Sequence, residues 1–459
     1  MLAQTPLDLV RDELSEAFAS LAATLDAPSL VSLPVPPALL AQLGSVGLPR
    51  VLRKATVAWR PPGETGIIAG FGREIELRGR RESPLQEAAL AIREVAQLPR
   101  INRVTGPAQP SFFGGGRFVA GGTVHDPAWD GFGGWAFVLP RLLLAVRGDA
   151  VEASITLLLE PGASRGAIAA RLAETPCEPA LATTGHSGWP TEAAGRDWRA
   201  TVATAIDEIE AGRYQKVVLA RPADIQRDED IDTGLVLERL AGRYERCFLF
   251  KMVQGANTWL GATPELLCKV RGGSVSTVAL AGSVPRGSDP AADDALAARL
   301  LGDAKERHEH ALVVHALREG LAPFCSEIEV PAGPEILRVA NIQHLRTPIT
   351  GRLLHGEDAM TVVAALHPSP AVGGWPRAEA VAAIDRLEGM DRGWYAGPIG
   401  RVGLDGDGEF AVGLRSGLIR GSAARFYAGA GIVHGSDPER EFAETETKFR
   451  PLREAIDGV

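Results

Sequence analysis

Hydrophobic residues in the first third of the chain follow two different spacings. Residues 7–25 and 84–98 carry apolar side chains at helical intervals, and each stretch is predicted to be an amphipathic helix. Four other runs are rich in β-branched and large apolar residues and are predicted to be strands: 51–59, 66–77, 135–146 and 151–159. Gly148 and Asp149 separate the last two runs, which are therefore predicted to form a hairpin.

The rest of the chain mixes the two patterns irregularly. Helical spacing recurs at 193–210, 303–320, 377–387 and 438–456. Strand-like runs occupy 216–220, 247–253, 276–280, 338–344, 409–419 and 425–430. Because strands and helices do not alternate regularly, the pattern favours an α+β fold over a parallel βαβ fold. Residues 176–190 lack periodicity, so we expect an N-terminal portion, 1–190, that packs onto a second region, 191–459.

Composition and charge narrow the class of protein. The 459 residues carry a net charge of -9, and 45% of them are hydrophobic, which is typical of a soluble globular protein. The negative charge disfavours binding to nucleic acid or to an anionic membrane surface, and no apolar run is long enough to span a bilayer. The four cysteines lack paired spacing, and the N-terminus lacks a signal pattern. We therefore expect a cytoplasmic protein that acts on a small molecule.

Two predicted helices each carry a pair of glutamates three residues apart. Glu306 and Glu309 share one face of their helix, and Glu441 and Glu444 share one face of the last helix. Like charges at this spacing destabilise a helix slightly, and four convergent carboxylates favour a hard cation such as Mg²⁺. The residues alone also allow a simpler interpretation, in which both faces are exposed to solvent.

Lys216 stands at the start of the apolar run 216–220. Burial there would disfavour the charged ammonium and lower the pKa of Lys216 toward that of a base active near neutral pH. The alternative is a lysine at a strand end whose ammonium reaches solvent.

Six segments of the second region follow one another in a recognisable order: YQKVVLAR (214–221), GATPEL (261–266), ALAGS (279–283), KERHEH (305–310), LHPSPAVGG (366–374) and DRGWYAG (391–397). They resemble motifs of the chorismate-utilising enzymes, and those of isochorismate synthases most closely. The run from Phe426 to Lys448 extends the resemblance, which covers the chain from about Trp198 to its end. Residues 112–118 and 139–141 match more weakly, and the first hundred residues carry no match.

The resemblance implies two stacked antiparallel β-sheets wrapped by helices, with the active site between the sheets and 191–459 as the chorismate-binding catalytic region. It also implies the reaction of an isochorismate synthase, in which water adds at C2 of chorismate and the C4 hydroxyl leaves. Lys216 would be the general base that activates water, and Glu265 the general acid that protonates the leaving hydroxyl. Both are needed, because hydroxide is a poor leaving group and neutral water a poor nucleophile.

The same resemblance implies Mg²⁺ as the cofactor. Glu309 and Glu444 would bind the ion directly, and Glu306 and Glu441 would reach it mainly through water. The ion would hold the ring carboxylate of the substrate and offset developing charge.

Seven further positions match substrate contacts of the family: Gly282, Ser283, His344, Tyr395, Arg415, Gly431 and Lys448. The amides of the first two would assist the metal at the ring carboxylate, and Lys448 would lie near it. Arg415, Tyr395 and the amide of Gly431 would hold the enolpyruvyl carboxylate, and His344 would lie beside the ring. Taken singly, Tyr395 also fits a core aromatic, Arg415 a strand-edge ion pair and His344 a buried, hydrogen-bonded imidazole.

Two positions distinguish the nucleophile within the family. Relatives that aminate chorismate lack the lysine found here as Lys216, and those that make aminodeoxychorismate carry a lysine where this chain has Ala281. We therefore expect water as the nucleophile and no glutamine amidotransferase subunit.

Two alternatives stay open. A salicylate synthase would make isochorismate and then expel pyruvate from it in the same site. A non-catalytic chorismate-binding subunit would keep the fold alone, although intact Lys216, Glu265, Glu309 and Glu444 count against it. Both menaquinone and siderophore pathways use isochorismate, and the expected oligomeric state is a monomer or a dimer.

Overall fold

The computed structural model describes residues 11–36, 48–148, 150–173, 197–338 and 342–458. The predicted boundary at 176–190 lies outside these residues. The described helices are α1 (Arg11–Ala22), α2 (Leu48–Lys54), α3 (Leu85–Ala96), α4 (Arg165–Ala173), α5 (Trp198–Glu210), α6 (Thr233–Arg243), α7 (Pro290–Gly302), α8 (Ala304–Leu321), α9 (Ala359–Leu366), α10 (Arg377–Glu388) and α11 (Pro438–Asp457).

The described strands are β1 (Ser29–Pro34), β2 (Val57–Arg60), β3 (Ile67–Phe71), β4 (Ile75–Arg78), β5 (Arg100–Asn102), β6 (Ser111–Gly116), β7 (Trp135–Leu139), β8 (Leu142–Arg147), β9 (Ala150–Leu159), β10 (Lys216–Gln226), β11 (Phe248–Gln254), β12 (Asn257–Thr263), β13 (Leu266–Arg271), β14 (Ser274–Pro285), β15 (Cys325–Glu329), β16 (Glu335–Arg338), β17 (Ile342–Leu353), β18 (Gly374–Trp375), β19 (Pro398–Gly403), β20 (Gly408–Val412), β21 (Ser416–Arg420) and β22 (Ala423–Val433).

The strands build two large sheets. The first has 12 strands in the order β18-β10-β22-β21-β12-β11-β2-β3-β8-β9-β1-β5. The second has 10 strands, in the order β15-β17-β14-β13-β20-β19-β6-β7-β4 with β16 paired to β17. Among the described strands only β1 and β5 pair in parallel. The expected α+β fold of two antiparallel sheets with helices is confirmed.

Strands from both sides of residues 176–190 pair within each sheet. In the first sheet β2 pairs with β11, so that Trp59 lies opposite Phe250. In the second sheet β6 pairs with β19, so that Gly115 lies opposite Ile399. Ladder hydrogen bonds therefore join the N-terminal strands to the rest of the chain in both sheets, and one hydrophobic core serves both portions.

The core lies between the facing sheets. Trp59 of the first sheet donates its indole Nε1–H to Glu409 of the second at 3.2 Å. Phe137 and Phe410 meet edge-to-face with ring centroids 6.1 Å apart. Every residue of β11 and β12 is buried, because α6 and α11 cover the other face of the first sheet. None of the helices in the described chain is long and apolar enough to cross a membrane.

The prediction of one strand at 51–59 is wrong. Leu48–Lys54 forms α2, and only Val57–Arg60 forms a strand. The helix ends against Lys251 of β11, whose buried ammonium donates to the carbonyl oxygens of Leu52 at 2.6 Å and Arg53 at 3.0 Å. These bonds satisfy carbonyls that the helix leaves unpaired at its end. The lysine is about 200 residues away in sequence, so the local hydrophobic pattern could not indicate this contact.

Three other runs predicted as single strands are each two strands that lie in different sheets. Residues 66–77 form β3 and β4, residues 135–146 form β7 and β8, and residues 409–419 form β20 and β21. The chain crosses between sheets at each break, and Pro140 and the left-handed Gly72 (φ 67°) stand at two of them. Residues 338–344, predicted as one strand, include the last residue of β16 and the first residues of β17, and 339–341 lie outside the described residues. The other predicted helices and strands are present with shifted ends, including the hairpin of β8 and β9.

Candidate active site

A cavity of about 100 Å³ opens between β10, β14 and β17 and the helices α8 and α11. Eleven of the thirteen predicted site residues line it: Lys216, Glu265, Gly282, Ser283, Glu309, His344, Tyr395, Arg415, Gly431, Glu444 and Lys448. The other two, Glu306 and Glu441, lie one helical turn before Glu309 and Glu444, outside the lining. The structure therefore gathers residues that are up to 232 positions apart, from Lys216 to Lys448.

Lys216 is buried at the first position of β10. Its side chain is 1% exposed, so the ammonium does not reach solvent. The Nζ atom lies 2.7 Å from Oε1 of Glu309 on α8 and donates a hydrogen bond to it. On the neighbouring strand, a Cβ at Gly431 would lie 2.9 Å from the same Oε1 atom, so a larger residue there would displace the Glu309 carboxylate.

Glu265 joins β12 to β13 and its carboxyl group is buried. Burial raises the pKa of Glu265 to about 7, although the positive charges of Lys216 and Arg415 oppose the shift. Its main-chain carbonyl accepts a hydrogen bond from the amide of Val412 at 3.0 Å, which fixes the loop to β20. The carboxyl group can therefore hold a proton near neutral pH and faces a cavity that also contains a lysine.

The four glutamates of α8 and α11 differ in their surroundings. Burial, followed by repulsion from Glu309, raises the pKa of Glu306 to about 7. Burial, followed by repulsion from Glu444, raises the pKa of Glu441 to about 7. Burial also opposes the ionisation of Glu444, but the neighbouring Lys448 outweighs it and the pKa of Glu444 is lowered. Burial and like-charge repulsion thus outweigh the positive charge of Lys305 at the two glutamates outside the lining.

Lysines neutralise the two glutamates that line the cavity. Glu309 pairs with Lys216, and Glu444 pairs with Lys448 at 2.5 Å. Within the described residues no group of three or more acidic, histidine or cysteine side chains is gathered closely enough to hold a metal ion. The carboxylates are therefore arranged around two ammonium groups.

Ser283 and His344 lie directly opposite each other on β14 and β17. Ser283 Oγ and His344 Nδ1 are 2.7 Å apart and share a hydrogen bond. Burial, and after it the charges of Arg415 and Lys448, lowers the pKa of His344 to about 3, so the ring is neutral at physiological pH. The left-handed Gly282 (φ 79°) forms a bulge in β14 that turns the Ser283 amide toward Glu306, at 3.1 Å from Oε2.

Arg415 and Tyr395 form the opposite wall. Arg415 has a positive φ of 47°, an uncommon conformation for a non-glycine residue, and burial lowers the pKa of its guanidinium. The ring of Tyr395 stacks on Tyr427 with centroids 5.2 Å apart. Burial raises the pKa of Tyr395 to about 12, so its hydroxyl stays protonated and can donate a hydrogen bond.

Comparison with known proteins identifies the family. The family model described as "Chorismate binding enzyme" matches residues 23–457. The chain belongs to this family. It is 37% identical over 410 residues to the "Salicylate biosynthesis isochorismate synthase" of Pseudomonas aeruginosa, covering 87% of this chain and 84% of that protein.

Two further relatives cover most of this chorismate-binding enzyme. It is 36% identical over 354 residues to "Isochorismate synthase MenF" of Bacillus subtilis, covering 75% of each protein. The solved structure of the menaquinone-specific isochorismate synthase of Escherichia coli superposes with a TM-score of 0.76 at 26% identity, covering 98% of this chain and 100% of that one.

Arg392 lines the cavity of this chorismate-binding enzyme but was not among the predicted site residues. Its guanidinium donates to the carbonyl oxygens of Val218 at 2.6 Å and Val372 at 3.1 Å, and it pairs with Glu388. It also lies 4.1 Å from the ring centre of Phe118. The only sequence signal was its place in DRGWYAG, because its partners come from distant segments.

The raised pKa of Glu265 leads to a prediction about stability and pH. The folded-state pKa, about 7, exceeds the ordinary value of 4.5, so ionisation of Glu265 destabilises the fold. This cost is absent below pH 4.5 and is complete above pH 7. Glu265→Gln removes the ionisation and should be more stable than the original protein by about 3 kcal/mol at pH 8, with no gain at pH 4.

Unfolding in urea, measured for both proteins at a series of pH values, tests whether their free energies of unfolding separate as the pH rises. Glu160→Gln, at an exposed position, is the matched control and should follow the original protein throughout. A difference between Glu265→Gln and the original protein that does not vary with pH would contradict the assignment.

Proposed function

We propose that this enzyme is an isochorismate synthase, which adds water at C2 of chorismate and removes the C4 hydroxyl. The observation that carries the proposal is the presence, in one buried cavity, of Lys216 and of Glu265, whose pKa is raised to about 7. A carboxyl group that ionises near neutrality can donate a proton, and an amine can accept one. The names of the three relatives support the same reaction here.

Glu265 protonates the departing hydroxyl group. Below about pH 7 its carboxyl carries a proton, because burial disfavours the carboxylate. Proton transfer lets the C4 oxygen leave as water rather than as hydroxide. The anchoring of the Glu265 carbonyl to Val412 fixes the main chain from which the acid projects.

In its neutral amine form, after its ammonium proton has been given up, Lys216 accepts the proton of the attacking water. Its place at the buried start of β10 keeps the side chain away from bulk solvent, and its contact with Glu309 limits the positions that Nζ can take. An acid and a base held on separate strands can serve two carbon atoms of one ring.

The two carboxylates of chorismate require separate binding groups. Arg415 offers a planar fork of donors to the enolpyruvyl carboxylate, with the protonated hydroxyl of Tyr395 and the amide of Gly431 beside it. The amides of Gly282 and Ser283 serve the ring carboxylate, the Ser283 amide once it releases the Oε2 atom of Glu306 to which it donates in the structure.

Lys448 and His344 complete the substrate pocket. Lys448 adds a positive charge close to the ring carboxylate. Neutral His344, held by Ser283, lies beside the ring without adding charge.

Mg²⁺ is the cofactor in this proposal. Glu309 and Glu444 line the cavity and would hold it, and Glu306 and Glu441 would support it through water. The donor set fits a hard cation in its chemistry, because it offers only carboxylate oxygen atoms and because Mg²⁺ keeps several waters and binds few carboxylates directly. Glu309 and Glu444 pair with Lys216 and Lys448 in the structure, so the ion would have to share these carboxylates with the two ammonium groups. Bound there, the ion would polarise the ring carboxylate and offset developing charge.

Water is the proposed nucleophile, so no glutamine amidotransferase subunit is needed. Lys216 is present at the position of the water-activating base, and the small Ala281 lines the cavity where a competing lysine would otherwise lie.

The proposed function predicts that purified protein with Mg²⁺ converts chorismate into a mixture of chorismate and isochorismate that forms from either side. Chromatography identifies the products. Exhaustive chelation should abolish turnover and added Mg²⁺ should restore it, while ammonium salts should give no aminated product. Stoichiometric formation of salicylate and pyruvate would show that the protein is a salicylate synthase instead. Binding of chorismate without turnover would show that it is a non-catalytic subunit.

Replacement of the acid or the base should remove most of the activity. Lys216→Ala and Glu265→Gln should each lower kcat by roughly 10² to 10⁴ with little change in fold, because each removes one proton transfer. Steady-state kinetics and circular dichroism measure the two effects. Near-normal turnover in either variant would remove that residue from the mechanism.

The four glutamates should differ in their effect on Mg²⁺. Glu309→Gln and Glu444→Gln should raise the Mg²⁺ concentration needed for half-maximal activity far more than Glu306→Gln, because a lost direct ligand removes a metal bond and a lost outer group only its support. Titration of activity with Mg²⁺ measures this. Glu319→Gln, exposed on the same helix α8, is the control. Equal losses at Glu306 and Glu309 would contradict the assignment.

A further inference from the structure

A second cavity, of about 750 Å³, lies between the two sheets away from the active site. The first sheet contributes residues of β1, β5 and β8 to its walls, and the second contributes residues of β6, β13, β19 and β20. Five cationic side chains line it: Arg100, Arg147, Lys269, Arg271 and Arg401. Four carboxylates also line it, those of Glu64, Asp405, Asp407 and Glu409, so the lining is slightly positive in a protein whose net charge is -9.

Three charged residues form a row across neighbouring strands of the cavity wall. Glu409 of β20 lies opposite Arg401 of β19 on one side and opposite Lys269 of β13 on the other. Its Oε1 atom pairs with Lys269 at 2.8 Å, and its Oε2 atom accepts the indole N–H of Trp59 at 3.2 Å. Both carboxylate oxygens are therefore used, and neither bonds to Arg401.

Arg401 and Arg271 have no ion-pair or side-chain hydrogen-bond partner in the described part of the chain. Burial lowers the pKa of Arg401, and the nearby Arg147 and Arg271 lower it further, while Glu409 and Glu64 oppose the shift. Arg401 is half-buried and Arg271 is exposed, and a half-buried guanidinium without a counter-charge loses part of its hydration without gaining an ion pair. An anion in the cavity would replace those contacts.

The remaining acidic residues of the wall are occupied by other groups. Asp407 accepts the amide of Gly272 at 2.8 Å, and Asp405 accepts the amide of Asp407 at 3.2 Å, so both stabilise the turns beside the cavity. Glu64 pairs with Arg147 at 3.3 Å near the surface.

We propose that this second cavity binds a small, multiply charged oxyanion through Arg401 and Arg271, with Arg147 as the third cation. Guanidinium groups present forked donors that suit phosphate and carboxylate oxygens equally. The space is ample for a metabolite that carries two or more such groups. The site uses none of the residues of the active-site cavity.

Calorimetric titration of the full chain tests the proposal without reference to any reaction. The probes are inorganic pyrophosphate and citrate in metal-free buffer, with sodium chloride at equal ionic strength as the blank. We expect saturable binding of at least one probe, and the two arms separate a phosphate ligand from a carboxylate ligand. Absence of binding by both probes would overturn the proposal.

Variants locate the binding. Arg401→Gln and Arg271→Gln should each weaken it by about tenfold or more, since each removes a charged pair of donors. Arg299→Gln, at an exposed position on α7, is the matched control and should bind as the original protein does. Arg415→Ala, in the other cavity, should also leave binding unchanged. Loss in Arg415→Ala with retention in Arg401→Gln would place the anion in the active site and overturn the proposal.

Thermal unfolding distinguishes a binding residue from a structural one. Without added anion, Arg401→Gln should unfold at the same temperature as the original protein or higher, because an unpaired, half-buried charge is removed. Pyrophosphate or citrate should raise the unfolding temperature of the original protein and not that of Arg401→Gln. A marked fall in the unfolding temperature of the anion-free variant would show that Arg401 stabilises the fold, against the proposal.

Discussion

The buried ion pair between Lys216 and Glu309 constrains the whole active-site region. An ammonium that is 1% exposed needs a counter-charge, because leaving it unpaired would cost several kcal/mol. Glu309 supplies that charge because α8 lies beside the first residue of β10, and a Cβ at Gly431 of β22 would lie 2.9 Å from its Oε1 atom. The position of the base is therefore tied to the packing of α8 and to a small residue on the neighbouring strand.

Much of the fold was visible in the sequence, but the points where the chain changes sheets were not. Residues 135–146 read as one strand because both halves are equally apolar, and their division follows from β7 and β8 finding partners in different sheets. Pro140 marked the break without indicating that the strands part there. Residues 48–54 form a helix whose terminal carbonyls accept hydrogen bonds from Lys251, far along the chain. Hydrophobic periodicity indicates which residues are buried, but it does not indicate which strands or helices they pack against.

The candidate active site also combines features that the sequence predicted with features that it did not. The spacing of Glu306 and Glu309 placed both on one face of a helix, and the structure shows Glu309 in the lining of the cavity and Glu306 outside it. The roles assigned to the site came from family resemblance, because Lys216 and Glu265 follow no local spacing rule. Nothing in the sequence indicated that Arg401 and Arg271 share a cavity. They are 130 positions apart, and only the pairing of β13, β20 and β19 brings them to one wall.

Both cavities are built on the antiparallel ladder of β13 and β20. Glu265 immediately precedes β13, and Arg271 ends it, so the two side chains are separated by about 20 Å at 3.3 Å per residue. At that distance the interaction between two charges is on the order of 1 kcal/mol with an effective dielectric constant of 20, and ionic screening over about 8 Å reduces it further. An anion in the second cavity would therefore change the pKa of Glu265 very little by charge alone. The physical connection between the sites is the ladder itself, in which the amide of Val412 holds the carbonyl of Glu265, so only a shift of one strand along the other would carry an effect from one cavity to the acid in the other.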